Sequence, residues 1–205
     1  MWVLAATGCV GSSLALEGVK GTDNLHRHIE LLIGRLVFAL RWRTGNREGF
    51  EARFSRERQT IRQLIVGLNP DLAARRVLIP RLPGMEDSSR HWSAWMTLDH
   101  LRIVNLAITD TIEKLGRGER PQGTASTATV KPSPDADATV VVRYESACDL
   151  LLKTAASVGN LKTKVRYAHP WFGPLNAFQW YAMAGGHMAI HRAQLERICD
   201  ALRGH

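Results

Sequence analysis

Cysteine is scarce in this chain and follows no pattern. Cys9, Cys148 and Cys199 are three in number among 205 residues. Their odd count and the lack of any Cys-x-x-Cys or zinc-finger spacing argue against a disulfide framework and make a reducing cytoplasm the expected compartment. Long apolar runs are missing as well. Met1 to Leu16 is apolar and rich in small residues, but it is short for a bilayer span, so no membrane partner is expected. No Lys or Arg precedes it as a secretory signal would require, so residues 1–21 are expected to be a flexible N-terminal extension or a misassigned start. No internal repeat is visible, and no alternating strand pattern survives inspection.

Acidic residues are also in deficit, with 19 Asp and Glu against 27 Lys and Arg and a net charge of +8. Much of the excess lies in Arg27, Arg35, Arg41, Arg43, Arg47, Arg53, Arg56, Arg58 and Arg62. Glu30, Glu48, Glu51 and Glu57 interrupt the series, and the arginines spread around helical turns instead of massing in one run. Solvated helix faces are the expected reading, with nucleic acid a lesser one. The hydrophobic fraction of 45% and the charged fraction of 22% suit a globular protein with one well-buried core, here assigned to residues 22–205 as a single domain.

Helical periodicity is what the chain has in abundance. Asp23 or Asn24 can cap a first helix, in which Leu25, Ile29, Leu32, Ile33, Leu36 and Ala39 recur at three- and four-residue steps up to Gly45. A second helix is expected from Glu48 to Leu68 on Phe50, Phe54, Ile61, Leu64, Ile65 and Leu68, with Asn69-Pro70 as its stop. After a Pro- and Gly-rich loop over residues 79–84, Asp87, Ser88 or Ser89 can cap a third helix reaching Leu115. Residues 117–135 read as a long exposed connection, either mobile or functional. A fourth helix follows from Asp137 to Val158, with Tyr144, Cys148, Leu151 and Ala155 on one side. Residues 161–174 read as irregular. Asn176 and Gln179 then resemble a capping box for the last helix. The fold class is all-α, most simply a four-helix bundle with an additional helix or irregular segments.

On that last helix, His187 and His191 stand four residues apart, so both imidazoles leave one face. The face continues through Leu195, Ile198 and Leu202, a stripe that turns toward a core. Spacing alone is weak, since a chain of this composition carries about 0.3 such pairs by chance. His100 supplies a possible third nitrogen. It lies mid-helix, with Met96, Ile103 and Ala107 on its face. Three imidazoles converging in a bundle leave a fourth position open, as catalytic zinc sites do. The alternative is a set of core histidines satisfied by hydrogen bonds. His26, His28, His91 and His205 read as surface or terminal residues, and His169, before Pro170, as a further ligand, a lid group or a plain loop residue.

The His100 helix, the His169-Pro170-Trp171-Phe172-Gly173-Pro174-Leu175 turn and the closing helix with His187, His191 and Gln194 together resemble the DinB/YfiT-like superfamily. That resemblance implies a four-helix bundle in which His100, His187 and His191 bind a divalent metal ion, zinc or nickel first and iron as a further option. It places Gln194 behind the ligands, and it implies a homodimer. It also implies a metal-dependent transferase or hydrolase acting on a small-molecule substrate, with low-molecular-weight thiols as the model. A non-catalytic, stress-related scaffold of the same fold is the alternative. No Glu adjoins the histidine pair, which disfavours peptide hydrolysis of the His-Glu-x-x-His type. Asp99 neighbours His100 but points about 100° away on a helix. Gly185-Gly186 can serve close helix packing or open space beside the metal. Trp92, Trp95, Trp171, Phe172, Trp180 and Tyr181 are candidates to line that space.

Overall fold

The computed structural model describes residues 14–203, with side chains from His28 onward. Residues 1–13, most of the stretch expected as an extension, lie outside the described residues. Helices dominate: α1 (Leu14–Thr44), α2 (Arg47–Val66), a short α3 (Pro70–Ala74), α4 (Ala94–Gly116), α5 (Val140–Ser157) and α6 (Ala177–Arg203). Helices α2, α4, α5 and α6 form the bundle: α4 packs on α5 and α6, and α6 packs on α2. Phe54, Ile61, Leu98, Leu101, Ile108, Ile112, Leu151, Leu195 and Ile198 fill its centre. The bundle with α1 as an additional helix is the architecture the periodicity predicts, and the short α3 comes on top of it.

Three of the four bundle helices start where a side chain accepts an orphan backbone N–H, whereas α5 opens at Thr139 without a side-chain cap. The Asn46 side chain accepts from Gly49 N–H at 2.8 Å to open α2, and Ser93 Oγ accepts from Met96 N–H at 3.1 Å to open α4. At α6 the capping box is reciprocal: Asn176 Oδ1 accepts from Gln179 N–H, and Gln179 Oε1 accepts from Asn176 N–H, both at 3.0 Å. Helix α2 ends at Val66 with Gly67 as its C-cap, and Asn69-Pro70 starts α3, where a proline at the first helical position loses no hydrogen bond.

Two helix starts and one periodicity differ from expectation, and two ribbons are unexpected. Helix α1 begins at Leu14, well before the Asp23–Asn24 cap. Helix α4 begins after Ser93, and the earlier Asp87–Ser89 segment is only a 3-10 turn. The chain also holds two antiparallel ribbons, β1 (Val77–Leu78) with β2 (His91–Trp92) and β3 (Tyr167–His169) with β4 (Gly173–Leu175). Strands of two or three residues are too short to show a period of two, so the sequence gives no sign of them. The stripe Ile29, Leu32, Ile33 and Leu36 on α1 is exposed. It is the opposite face, with Phe38 and Trp42, that packs on the rest of the chain.

Much of the arginine excess is paired. Arg58 binds both Glu145 and Asp149, Arg62 binds Glu145, and Arg192 bridges Glu57 and Glu196. No helix among the described residues is long and apolar enough to cross a membrane.

Candidate metal centre

Helix α4 brings His100, and α6 brings His187 and His191, to one place inside the bundle. One ligand atom from each lies within 4.8 Å of the others. The His100 and His191 ring centroids are 4.5 Å apart, as are those of His187 and His191. His100 Nε2 and His187 Nε2 are separated by 3.2 Å. Two nitrogens held at 2.0–2.1 Å by one tetrahedral ion stand about 3.3 Å apart, so this spacing suits a shared cation. The face of α6 continues inward as expected, with Leu195, Ile198 and Leu202 buried. On α4, Met96 is buried, Ile103 is half-buried and Ala107 is exposed, because Val104 and Ile108 supply the inner face there.

The neighbours fix which nitrogen of each ring carries the proton. His100 Nδ1–H donates to the Val130 carbonyl at 2.7 Å, which leaves a lone pair on Nε2. Gln194 is buried, and its amide nitrogen donates to the Ser89 carbonyl at 2.8 Å. A carbonyl can only accept, so the Gln194 amide oxygen must face the other way, toward His191 Nδ1 at 2.7 Å. His191 Nδ1–H therefore donates to it, and its Nε2 is also left with a lone pair. His187 is different. Its Nδ1 is buried without a partner, while its Nε2 faces the lone pair of His100. The protein alone cannot satisfy both nitrogens of this ring, and a buried polar atom left in that state is costly. A divalent cation taking one lone pair from each imidazole would replace the close His100–His187 Nε2 contact, so the three converging nitrogens fit a metal ion.

Burial keeps the cluster neutral, the form a metal requires. Desolvation is the leading cause at each ring: it pushes His191 down to about 3, His187 well below its ordinary value, and His100 down as well. The other rings of the cluster add mutual repulsion at His187 and His191.

Three supporting features were out of reach of the sequence or only half visible in it. The 117–139 connection supplies the Val130 carbonyl, and it is tied down by Asp99, whose Oδ2 accepts from Ser133 N–H at 2.9 Å. Asp99 Oδ1 takes Arg102 Nε–H at 2.9 Å. Asp99 therefore acts on His100 through the loop, away from the ring itself. Val130 and Ser89 contribute backbone oxygens, which no residue type announces. Among the aromatics, Trp92 lies nearly parallel to His191, with centroids 6.2 Å apart, and 5.1 Å from His100. Trp95 and Tyr181 belong to the core. The close-packing reading of the glycine pair holds at Gly185, and Gly186 is simply uncrowded. A Cβ at Gly185 would meet the Phe54 backbone nitrogen and the Arg53 side chain at 3.3 Å, whereas a Cβ at Gly186 meets nothing within 4 Å.

His169 stays outside the cluster of three. It ends β3, stacks on Phe172 at 4.9 Å and approaches Trp180 at 5.3 Å. Its Nδ1 accepts from Trp171 N–H at 3.1 Å, and burial pushes it down to about 4.

Comparison with curated proteins finds no match to the sequence. Among solved structures, the crystal structure of TT2238, a four-helix bundle protein, superposes with a TM-score of 0.52 at 20% identity, over 73% of this chain and 97% of that one. At that identity the likeness speaks for the fold alone. A family model, the DinB superfamily, matches residues 53–195, a span that opens in α2 and takes in all three histidines. With the bundle, the histidine cluster and that match in agreement, the chain belongs to the DinB superfamily.

Proposed function

We propose that the chain is a metal-dependent enzyme acting on a small molecule, of the thiol-transferase or hydrolase type. His100, His187 and His191 would hold the ion, zinc or nickel in preference to iron. The observation that carries the reading is the convergence of three imidazoles inside the bundle, two of them with their lone pairs already directed by Val130 and Gln194. Three neutral nitrogen ligands leave the bound ion its full charge and an open position, which marks catalytic sites off from closed structural ones. A divalent cation there supplies Lewis acidity, lowering the pKa of a water or thiol that reaches it.

The residues of the chain do the rest. Val130 and Gln194 hold two rings in the ligating tautomer, which supports the ligands' basicity and orientation. Trp92 walls one side of the site. His169 keeps Nδ1 engaged by Trp171 N–H, so when neutral its proton sits on Nε2, as a donor for a substrate.

Elemental analysis of the purified protein, with small thiols assayed in parallel, tests the reading. About one divalent metal per chain, lost in His187→Ala, is expected, together with transfer or hydrolysis that disappears on chelation and returns with the ion. Protein that takes up neither zinc nor nickel would refute the metal site. Protein that binds the ion but turns over nothing in the panel would favour a scaffold role.

A further inference from the structure

The ribbon of β3 and β4 has an outer face. Exposure alternates along the chain that leads into and through β3: Lys164, Arg166 and Ala168 are exposed, whereas Val165 and His169 are half-buried and Tyr167 is buried. In extended backbone successive side chains leave on opposite sides. Lys164 and Arg166 therefore point away from the side on which Tyr167 and His169 meet Trp180. Across from them runs the connection that follows α4. Between the two lies a cleft of about 580 Å³, the size of a small-molecule site. Arg120 and Thr124 line it from the connection, Lys164 and Arg166 from the approach to β3, and Val165 and Pro174 add an apolar wall.

The charge in this cleft is of one sign. No Asp or Glu lines it, and Glu119, beside Arg120 in sequence, stays outside. Among the described residues no carboxylate lies within ion-pair reach of Arg120, Lys164 or Arg166, whereas Arg58, Arg62 and Arg192 are matched. Arg166 is also held in place. Its Nη1 donates to the Pro174 carbonyl at 3.4 Å and to Gln179 Oε1 at 3.3 Å. Both acceptors are neutral, so they orient the guanidinium without cancelling its charge. Its Nε–H and Nη2 hydrogens meet no acceptor among the described residues. Those two groups lie side by side on the other edge and form the fork that grips an oxyanion through two parallel bonds.

We propose that this cleft binds a phosphate monoester. The phosphate sits on the Arg166 fork with Lys164 and Arg120 around it, and the organic part of the molecule lies against Val165 and Pro174. A phosphate monoester carries about −1.5 to −2 at neutral pH, which three unmatched cations suit better than the single charge of a carboxylate. A nucleic-acid strand fits less well, because it calls for a stripe of cations along a face, and here they line one cleft. Binding also ties two segments together. The connection after α4 further on supplies the Val130 carbonyl to His100, and β3 ends in His169. Occupation should slow hydrogen exchange at residues 120–126 and 164–169 together.

Isothermal titration of the full chain with phenyl phosphate, inorganic phosphate and benzoate tests the site, with the protein as purified and again after chelation. Phenyl phosphate should bind tightest and benzoate weakest, with affinity that falls as salt rises. The affinities should be the same before and after chelation, so the result does not depend on whether the three histidines hold an ion. Arg166→Gln should weaken phenyl phosphate at least tenfold and leave the far-ultraviolet dichroism unchanged, since the residue is exposed. Arg166→Lys should weaken it nearly as much, because the charge is kept and the fork is lost. Failure of the wild type to bind either phosphate, or wild-type affinity in Arg166→Gln, would overturn the proposal, and wild-type affinity in Arg166→Lys would overturn the bidentate seat. Affinity that vanishes on chelation would assign the phosphate to the metal centre instead. Oligothymidylate that binds more tightly than phenyl phosphate, and is lost in Arg166→Gln, would assign the cleft to nucleic acid.

Discussion

Acid should destabilise the metal-free protein in a pH range where few other groups titrate. The perturbation is a drop from pH 7 to pH 5 after exhaustive chelation. His191 and His169 are held down to about 3 and about 4 by burial, against an ordinary value of 6.5. The unfolded chain therefore takes up protons that the folded chain refuses. Stability falls as pH drops below about 6.5, and the loss levels off only below the folded-state values. Across pH 7 to 5 each ring contributes about 2 kcal/mol, or about 4 kcal/mol for the two. His100 and His187 act in the same direction. For a chain of this size, 4 kcal/mol lowers the melting temperature by roughly 8–16 °C.

Thermal denaturation followed by circular dichroism at half-unit pH steps measures this directly. In His191→Leu the pH dependence should shrink by about 2 kcal/mol, since one of the two rings is gone. Adding zinc at a hundred times its dissociation constant should stabilise the wild type by about 2.7 kcal/mol at pH 7. Because the folded rings stay neutral, affinity for the ion should persist at pH 5, where exposed histidines have become protonated. A melting temperature flat between pH 7 and 5, or the same slope in His191→Leu, would refute the claim that these rings are buried in their neutral form.

Other consequences are sharper in place than in size. Gln194→Ala removes the acceptor that directs His191, and metal affinity measured by competition with a chromogenic chelator should weaken 10- to 100-fold while the bundle stays folded. Gly185→Ala should destabilise, since its Cβ crowds the Phe54 backbone, whereas Gly186→Ala should stabilise by up to about 1 kcal/mol in urea titrations. Arg58→Ala leaves the Glu145 carboxylate half-stripped of partners against α5, and a loss of about 1–3 kcal/mol is expected in the same titration; a change below a few tenths would show the pair to be idle.

The sequence made the bundle legible because helical burial is a local signal. Phe50, Phe54, Ile61 and Ile65 recur with the turn of α2, and all four are buried. The Asn176–Gln179 box could likewise be read from two letters three residues apart. On α1 the same rule identified a real amphipathic stripe but could not say what it faces. Periodicity shows that a helix has an apolar side; whether that side meets its own chain or another depends on a second apolar face, and Phe38 and Trp42 compete for the bundle and win. The two ribbons escaped for the opposite reason, being held by a handful of backbone bonds with no side-chain pattern to betray them.

The metal centre divides along the same line. Its ligands could be read because a ligand is a residue type at a spacing, and His187 with His191 on one helix face needs only the pitch of α6. The partners that orient the ligands could not, since two of them are backbone oxygens, at Val130 and Ser89, contributed by segments that are distant in sequence. The Val130 oxygen in turn depends on Asp99, which sits beside His100 in sequence yet reaches it only through the loop at Ser133. Adjacent helical residues point about 100° apart, so Asp99 and His100 cannot share a target. They can, however, grip the same loop at two points, and that is what they do. A loop held at Ser133 and Val130 is one wall of the site as well as the brace for its first ligand. Releasing it with Asp99→Ala should therefore weaken the metal by disordering the Val130 contact, and His100→Ala should loosen the loop in return, an effect that hydrogen exchange at residues 127–133 would register even in the absence of any ion.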